Sequence, residues 1–201
     1  MDISGVTFRG PKLIEAPILS ELPSEYSDTL RKINGFVALD GGFHLRGACD
    51  VPAWHSLVAA WRTDEALHRL FPALLDSDIP FGQDCMGDQF VLRDSVVHRL
   101  AAESGTVESM GLSWRQFFTS LAADPLEFLQ LHPLVQFERE GGRLQPGQLL
   151  SAYPPFVTAE SGSSVALRAV SANERIRFLS DFSRYLGSIT KGQQFRIVVS
   201  E

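Results

Sequence analysis

Short apolar segments between residues 79 and 100 constrain the fold more than any other feature. In IPFGQDCMGDQFVLRDSVVHRL, segments 79–81, 89–93 and 96–100 have the length and composition of strands. The Gly- and Asp-containing breaks between them are too short for a crossover helix, which favours antiparallel pairing. The sequence therefore predicts an antiparallel sheet near the centre of the chain.

Helical patterns precede and follow these strands. In LPSEYSDTLRKINGF (22–36), apolar residues recur at helical spacing and Asn34-Gly35 is a typical helix stop. FVALDGGFHLRG (36–47) predicts a hairpin turning at Asp40-Gly41-Gly42, and residues 53–70 are helical again, with a restart at Thr63-Asp64. This order predicts an α+β fold, a twisted and mainly antiparallel sheet flanked by helices.

Two further helices are expected after the sheet. Residues 113–116 have the spacing of a capping box, and the helix that follows would bury Trp114, Phe117, Phe118 and Leu121. Asp124-Pro125 begins a shorter helix that runs to residue 131. The aromatic side chains stand at helical spacing with other apolar residues, which favours a core over a stacking platform for nucleic acid.

The last third of the chain is expected to form an extension. Residues 138–156, EREGGRLQPGQLLSAYPPF, are rich in Gly, Pro and polar residues and predict a linker. A strand at 165–169, a helix after the capping box at 171–174, and a closing strand through Phe195, Ile197 and Val199 follow. We therefore divide the chain into a domain at 1–131 and a strand–helix–strand extension at 132–201, packed on the first.

Composition limits the classes of partner. The formal net charge is −6, so no global positive field attracts nucleic acid or an anionic membrane. No apolar run approaches the roughly 20 residues that a membrane helix needs. The N-terminal sequence does not resemble a secretory signal, which predicts a cytoplasmic protein with Cys49 and Cys85 reduced.

The segment around Cys85 is the first candidate for chemistry. Asp84 and Asp88 could bind a metal, but the order of a calcium loop is absent, and a turn with positive φ at Gly87 and Asp88 capping local amides explains the same residues. Cys85 paired with a histidine could act as a catalytic nucleophile, although no nucleophile signature is present. Histidine spacing predicts no zinc site, and residues 141–148 lack a phosphate-loop ending. We assign no catalytic residue, metal or cofactor.

Aspartates dominate the charge of this region. Between positions 76 and 94, five aspartates accompany a single arginine, Arg93; the aspartates are Asp76, Asp78, Asp84, Asp88 and Asp94. Most such runs are solvated loops, but this one is the best candidate in the chain for docking a cationic protein surface.

These motifs, in this order, resemble the SUKH superfamily, which includes fungal cell-wall regulators and bacterial toxin-immunity proteins. Residues 22–36 look like its first helix, and IPFGQDCMGDQFVLR looks like its Gly-Asp-x-Phe strand pair, matched at Gly87, Asp88 and Phe90. Residues 113–121 are similar to its closing helix. The resemblance covers roughly residues 15–131. It implies an α+β domain without a catalytic set, in which the Gly-Asp motif is a structural turn.

The resulting expectation is a non-enzymatic protein-binding module, most concretely an immunity protein that neutralises a bacterial toxin with a basic cleft. The candidate partner-binding residues are Asp40, His44, Asp84 and Asp88. One alternative is a regulatory or scaffold protein that uses the C-terminal extension as its contact. Another is a small-molecule binder or an enzyme that uses Cys85 and a histidine. The sequence assigns no nucleic-acid or membrane partner and no oligomeric state.

Overall fold

The protein is built on one seven-stranded antiparallel sheet. The computed structural model describes residues 4–14, 16–162 and 165–188. Each strand pairs with the next along the chain, so the sheet is a meander. Its strands are β1 (Phe8–Arg9), β2 (Phe36–Ala38), β3 (Phe43–Leu45), β4 (Ile79–Asp84), β5 (Gln89–Arg93), β6 (Val96–Ala101) and β7 (Thr106–Leu112). The predicted α+β fold with a mainly antiparallel sheet is confirmed.

Seven α-helices flank the strands within the described ranges. They are α1 (Ser24–Lys32), α2 (Leu57–Arg62), α3 (Leu67–Leu70), α4 (Trp114–Ala123), α5 (Pro125–Phe128), α6 (His132–Arg139) and α7 (Ala172–Ser188). The Ser113–Gln116 capping box is present as predicted. The helical pattern at 53–70 is divided into a 3-10 turn (Ala53–His55), α2 and α3. No helix in the described ranges is long and apolar enough to cross a membrane.

One face of the sheet carries an aromatic core. Phe43, Phe81 and Phe90 point to this face from neighbouring strands and meet α4. The ring of Phe117 lies 5.0 to 5.9 Å from all three, measured between centroids, and its contact with Phe81 is T-shaped. Such pairs add to the burial of large apolar area. The predicted burial of Trp114, Phe117, Phe118 and Leu121 is confirmed.

The opposite face combines an apolar cluster with a polar centre. Successive side chains of a strand point to opposite faces, so the residues that alternate with the aromatic ones along the strands lie here. Val91 and Leu100 pack against α3 and α7. Beside them a buried polar group interrupts the apolar surface; its members are His44, Arg46, Gln83 and Gln89.

The C-terminal segment forms a second, two-stranded sheet that lies against the first. Strand β8 (Gln148–Tyr153) pairs with β9 (Ala166–Ser171), and α7 follows directly. The linker predicted at 138–156 is therefore wrong in part, because β8 occupies its centre and buries Leu149 and Leu150. The apolar run of β8 is short and is flanked by Gly and Pro, so the local composition is that of a loop. The predicted closing strand at Phe195, Ile197 and Val199 lies outside the described residues.

Candidate protein-binding surface

The segment from Asp84 to Asp88 is a tight turn between β4 and β5. Asp84 Oδ1 accepts hydrogen bonds from the backbone N–H groups of Met86, Gly87 and Asp88, at 2.9 to 3.0 Å. Gly87 has a φ of +100°, a conformation that glycine adopts without strain. The predicted turn is confirmed. The expectation that Asp88 caps the local amides is wrong, because Asp84 does so.

Asp88 instead joins the turn to the far end of β6. Its Oδ1 accepts a hydrogen bond from the Ala102 N–H group at 2.9 Å, and its Oδ2 lies 2.7 Å from a guanidinium nitrogen of Arg99. The same guanidinium group lies 3.4 Å from Asp84 Oδ2. Burial and the Asp88 carboxylate raise the pKa of Asp84, against the opposing effects of Arg99 and the turn amides. Arg99 thus pairs with the carboxylates of both Asp84 and Asp88.

Helix α7 lies directly on this turn. A Cβ atom added to Gly87 would lie 2.9 Å from Leu179 Cδ1 and 3.3 Å from Ile176 Cδ1, so a larger residue requires these two side chains of α7 to move. Strand β8 makes a second connection, since the Leu150 N–H group donates to the Cys85 carbonyl oxygen at 2.8 Å. The Gly-Asp turn is therefore the place where the extension docks on the sheet.

A buried ion pair fixes the first turn of α7. The side chain of Arg175 is 1% exposed, and a guanidinium nitrogen lies 3.4 Å from Glu103 Oε1. The other oxygen of Glu103 accepts a hydrogen bond from the Val157 N–H group at 3.2 Å. Burial raises the pKa of Glu103, and Arg175 opposes that shift. Because an unpaired buried charge is costly, this network holds the helix and the 154–158 loop in one arrangement.

The aspartate run is not a continuous acidic surface. Asp78 is buried and forms an ion pair with Arg93 at 2.7 Å, while Asp84 and Asp88 share Arg99. Only Asp76 and Asp94 are exposed among the five. The docking surface inferred from this run is therefore corrected: three of its carboxylates pair with two arginines of the protein itself, Arg93 and Arg99. Arg99 lies beyond the run, so its role was not visible in the local charge count.

Of the four candidate partner-binding residues, only Asp40 is exposed. Asp40 lies in the β2–β3 turn, and Asp88 is partly buried in the ion pair with Arg99. Asp84 and His44 are interior residues, and no rigid partner could touch their side chains. The structure therefore does not bring the four together on one face.

His44 belongs to a buried hydrogen-bonded chain. Its Nε2 lies 2.8 Å from His55 Nδ1, and His55 Nε2 lies 2.9 Å from the Asn34 carbonyl oxygen. Since a carbonyl can only accept, His55 donates from Nε2 and accepts from His44 at Nδ1. Burial lowers the pKa of His55 to about 4 and holds the pKa of His44 well below its usual range. Both rings are neutral at pH 7.

Cys85 is buried beside the turn, and burial together with the Asp84 carboxyl raises the pKa of its thiol well above the usual range. We expect iodoacetamide at pH 7.5 to label the half-buried Cys49 at least tenfold faster than Cys85. Cys85 should react at the rate of global opening. Time-resolved mass spectrometry of tryptic peptides measures both rates. Faster labelling of Cys85 than of a free cysteine would instead support the Cys-dependent enzyme.

The exposed side of α7 carries a mixed acidic and aromatic stripe that sequence inspection missed. Glu174, Phe178, Asp181 and Tyr185 follow one another at intervals of four, three and four residues, so they share one face of the helix. Phe178 is 42% exposed and Tyr185 is 51% exposed. We call these four residues the α7 stripe. The sequence held a signal for it, because Phe178 and Tyr185 fall outside the inward series of Ile176, Leu179 and Phe182.

Two more exposed apolar side chains are connected to the α7 stripe through Arg175 and Glu103. The Arg175 guanidinium lies 5.5 Å from the ring centroid of Phe178 and also pairs with Glu103. Glu103 in turn binds the backbone of Val157, which is 48% exposed next to Phe156 at 43%. Exposed aromatic and apolar groups with a polar surround are characteristic of protein interaction sites. This part of the extension is the best candidate for a protein-binding surface.

No protein-family model and no curated protein matches the chain. The fold is similar to the crystal structure of Atu4351 from Agrobacterium tumefaciens, with 16% sequence identity and a TM-score of 0.51. The match covers 87% of this chain and 85% of that chain. Residues 1–131 make up only about two thirds of the chain, which is less than the share that the match covers. The shared fold therefore includes part of the C-terminal extension, and at this identity the likeness concerns the fold alone.

Proposed function

We propose that this protein is a non-enzymatic protein-binding module, and specifically an immunity protein that binds and neutralises a bacterial toxin with a basic cleft. The observation that carries the proposal is the α7 stripe, where two exposed aromatic residues alternate with two carboxylates. Aromatic side chains are enriched among the residues that dominate binding energy. The resemblance of residues 15–131 to the SUKH superfamily supports the choice of partner class.

Charge complementarity defines the expected mode of action. A basic cleft that binds an anionic substrate presents arginine and lysine side chains, which Glu174 and Asp181 can meet while Phe178 enters the cleft. The formal net charge of −6 adds long-range attraction to such a partner. Occupation of the cleft excludes the substrate, so inhibition follows from binding and needs no reaction.

The regulatory or scaffold alternative uses the same part of the molecule. The scaffold alternative places the contact on the C-terminal extension, where the α7 stripe lies. The two hypotheses differ in the identity of the partner and in the effect on it. The enzyme alternative depends on a reactive Cys85, and the burial of that thiol does not favour it.

Substitutions on α7 test the surface. We expect the double variant Phe178→Ala/Asp181→Lys to weaken partner binding at least tenfold, because it removes an aromatic anchor and reverses a charge. The control is Leu75→Ala/Asp76→Lys, which also removes one exposed apolar side chain and one exposed aspartate. Because both pairs make the same change in net charge, loss of binding in the first alone reports a local contact.

The measurement begins with affinity purification at low and moderate salt, followed by mass spectrometry. Each captured protein is then purified, and its activity and its affinity for the wild type and both variants are measured. A basic, toxic enzyme inhibited by the wild type and the control but not by the α7 variant supports the proposal. A partner whose activity is unchanged on binding supports the scaffold alternative. Equal affinity of both variants would exclude the α7 stripe as the contact.

A further inference from the structure

Arg46 is a buried cation without a buried anion. It follows β3, on the sheet face opposite the aromatic core, and its side chain is almost fully enclosed. Its guanidinium group donates to the carbonyl oxygens of Pro80 and Gly82 and to the side-chain oxygens of Gln83 and Gln89, at 2.6 to 3.2 Å. All four acceptors are neutral. Among the described residues, no carboxylate pairs with this arginine, although buried charges in proteins are normally paired.

A pocket opens above this cation. It has a volume of about 100 Å³ and lies between α2, α3 and the first turn of α7, with Arg46 and Gln83 at its base. Since one water needs about 10 to 15 Å³ by this measure, the pocket holds several waters or a ligand of a few non-hydrogen atoms. Trp54 and Ser56 form one side, and Asn173 forms the other.

The polar groups around the pocket are suited to an oxyanion. The Gln83 side-chain oxygen accepts from Arg46 and Gln89, which orients its amide nitrogen as a donor. The Ser56 oxygen accepts from the Ala59 N–H group, so its hydroxyl hydrogen is available to donate. Burial lowers the pKa of Arg46 only to about 10, and the guanidinium group therefore stays charged at pH 7. An anion is attracted strongly to a cation at such a site, because little water screens the two charges.

The opening of the pocket carries compensating charges. Glu65 and Arg177 lie at its edge and form an exposed ion pair with each other. The Glu65 carboxylate is thereby neutralised toward an incoming anion. The pair thus leaves no net charge at the opening, and Arg46 supplies the positive charge of the site.

We propose that this pocket binds a small oxyanion, a carboxylate or phosphate group, with Arg46 supplying the charge and Gln83 and Ser56 supplying donors. The α7 residues that line the site do not belong to the α7 stripe, and the site is independent of the partner-binding proposal, so either can fail alone. Binding would tie α2 to the start of α7. The ligand class follows from the uncompensated guanidinium group and the size of the pocket.

Thermal unfolding with added anions tests the site. Sodium acetate and sodium phosphate are titrated to 50 mM at constant ionic strength, with sodium chloride as the reference. We expect the unfolding temperature to rise to a plateau with at least one of them. Acetate alone assigns a carboxylate, phosphate alone assigns a phosphate, and both assign any small oxyanion. If neither acetate nor phosphate gives a saturable rise, the proposal is overturned.

Two variants separate specific binding from general salt effects. Ala59→Met fills the pocket from α2, and Ala122→Met adds the same side chain on the exposed face of α4. We expect the first to abolish the saturable rise and the second to keep it. Arg46→Gln should weaken binding at least tenfold if it folds. An equal rise in the Ala59→Met and Ala122→Met proteins would show that the anions act elsewhere, which overturns the proposal.

Discussion

Replacing Asp84 by alanine is expected to lower the free energy of unfolding by about 3 kcal/mol, because three backbone N–H groups lose their acceptor at once. These groups belong to Met86, Gly87 and Asp88, and Asp84 itself is buried. Asp84→Asn keeps an oxygen acceptor in the same place and should cost less than half as much. Urea denaturation at pH 7 measures both losses.

Asp76 provides the matched control for Asp84. It belongs to the same aspartate run but is exposed, so Asp76→Ala should change the free energy of unfolding by no more than about 0.5 kcal/mol. Similar losses at the two positions would contradict the structural role of Asp84. An Asp84→Ala protein that keeps its stability but loses its partner would restore the original expectation of a surface residue.

Acidification is expected to destabilise the protein through His44 and His55. An unfolded histidine binds a proton near its usual pKa of 6.5, whereas the folded His55 does so only at about 4. The stability that the neutral ring contributes is therefore complete above pH 6.5 and is lost as the pH falls toward 4. Each such ring contributes a slope of about 1.4 kcal/mol per pH unit, or roughly 3 kcal/mol for His55 over this window.

A difference between variants isolates the histidine effect. Asp84 and Glu103 have raised pKa values and change stability in the opposite direction on acidification, but they are present in every variant and cancel. His44→Gln keeps a donor toward His55 and removes one titrating ring, so about half of the histidine slope should disappear. Leu75→Ala, at an exposed position, removes no titrating group and should leave the slope unchanged. Urea midpoints between pH 7.5 and 4.5 give the comparison, and parallel slopes for all three proteins would refute the assignment.

Much of the fold could be predicted from local sequence. The helix at 22–33, the hairpin at Asp40-Gly41-Gly42 and the strand at 89–93 correspond to α1, the β2–β3 turn and β5. Each has a strong local cause: helical periodicity, a turn-forming dipeptide, or a short run of apolar residues between turn residues. Strand β8 was missed because its local composition matches that of a loop, and its burial depends on the Cys85 turn and α7, which are distant in sequence.

The candidate site was less accessible to sequence reasoning. An aspartate run has the same local appearance whether its charges face solvent or pair with arginines on the next strands. Asp78 and Asp88 pair with Arg93 and Arg99 across the sheet, a relation that strand register creates. His44 was placed on the surface for a similar reason, since the ring that it contacts, His55, comes from a separate turn. The α7 stripe was partly visible, but nothing local showed that its aromatic residues remain exposed.

The sequence by itself determined the periodicities, the turns and the caps, because these depend on interactions within a few residues. It also determined that Gly87 forms a turn, since its positive φ is a property of the local chain. Only the tertiary structure decided that this turn receives α7, that three aspartates pair with Arg93 and Arg99, and that Arg46 is buried without an anion. These outcomes depend on which face of the sheet each residue occupies and on which segments cover that face. Contacts between residues far apart in the chain set both.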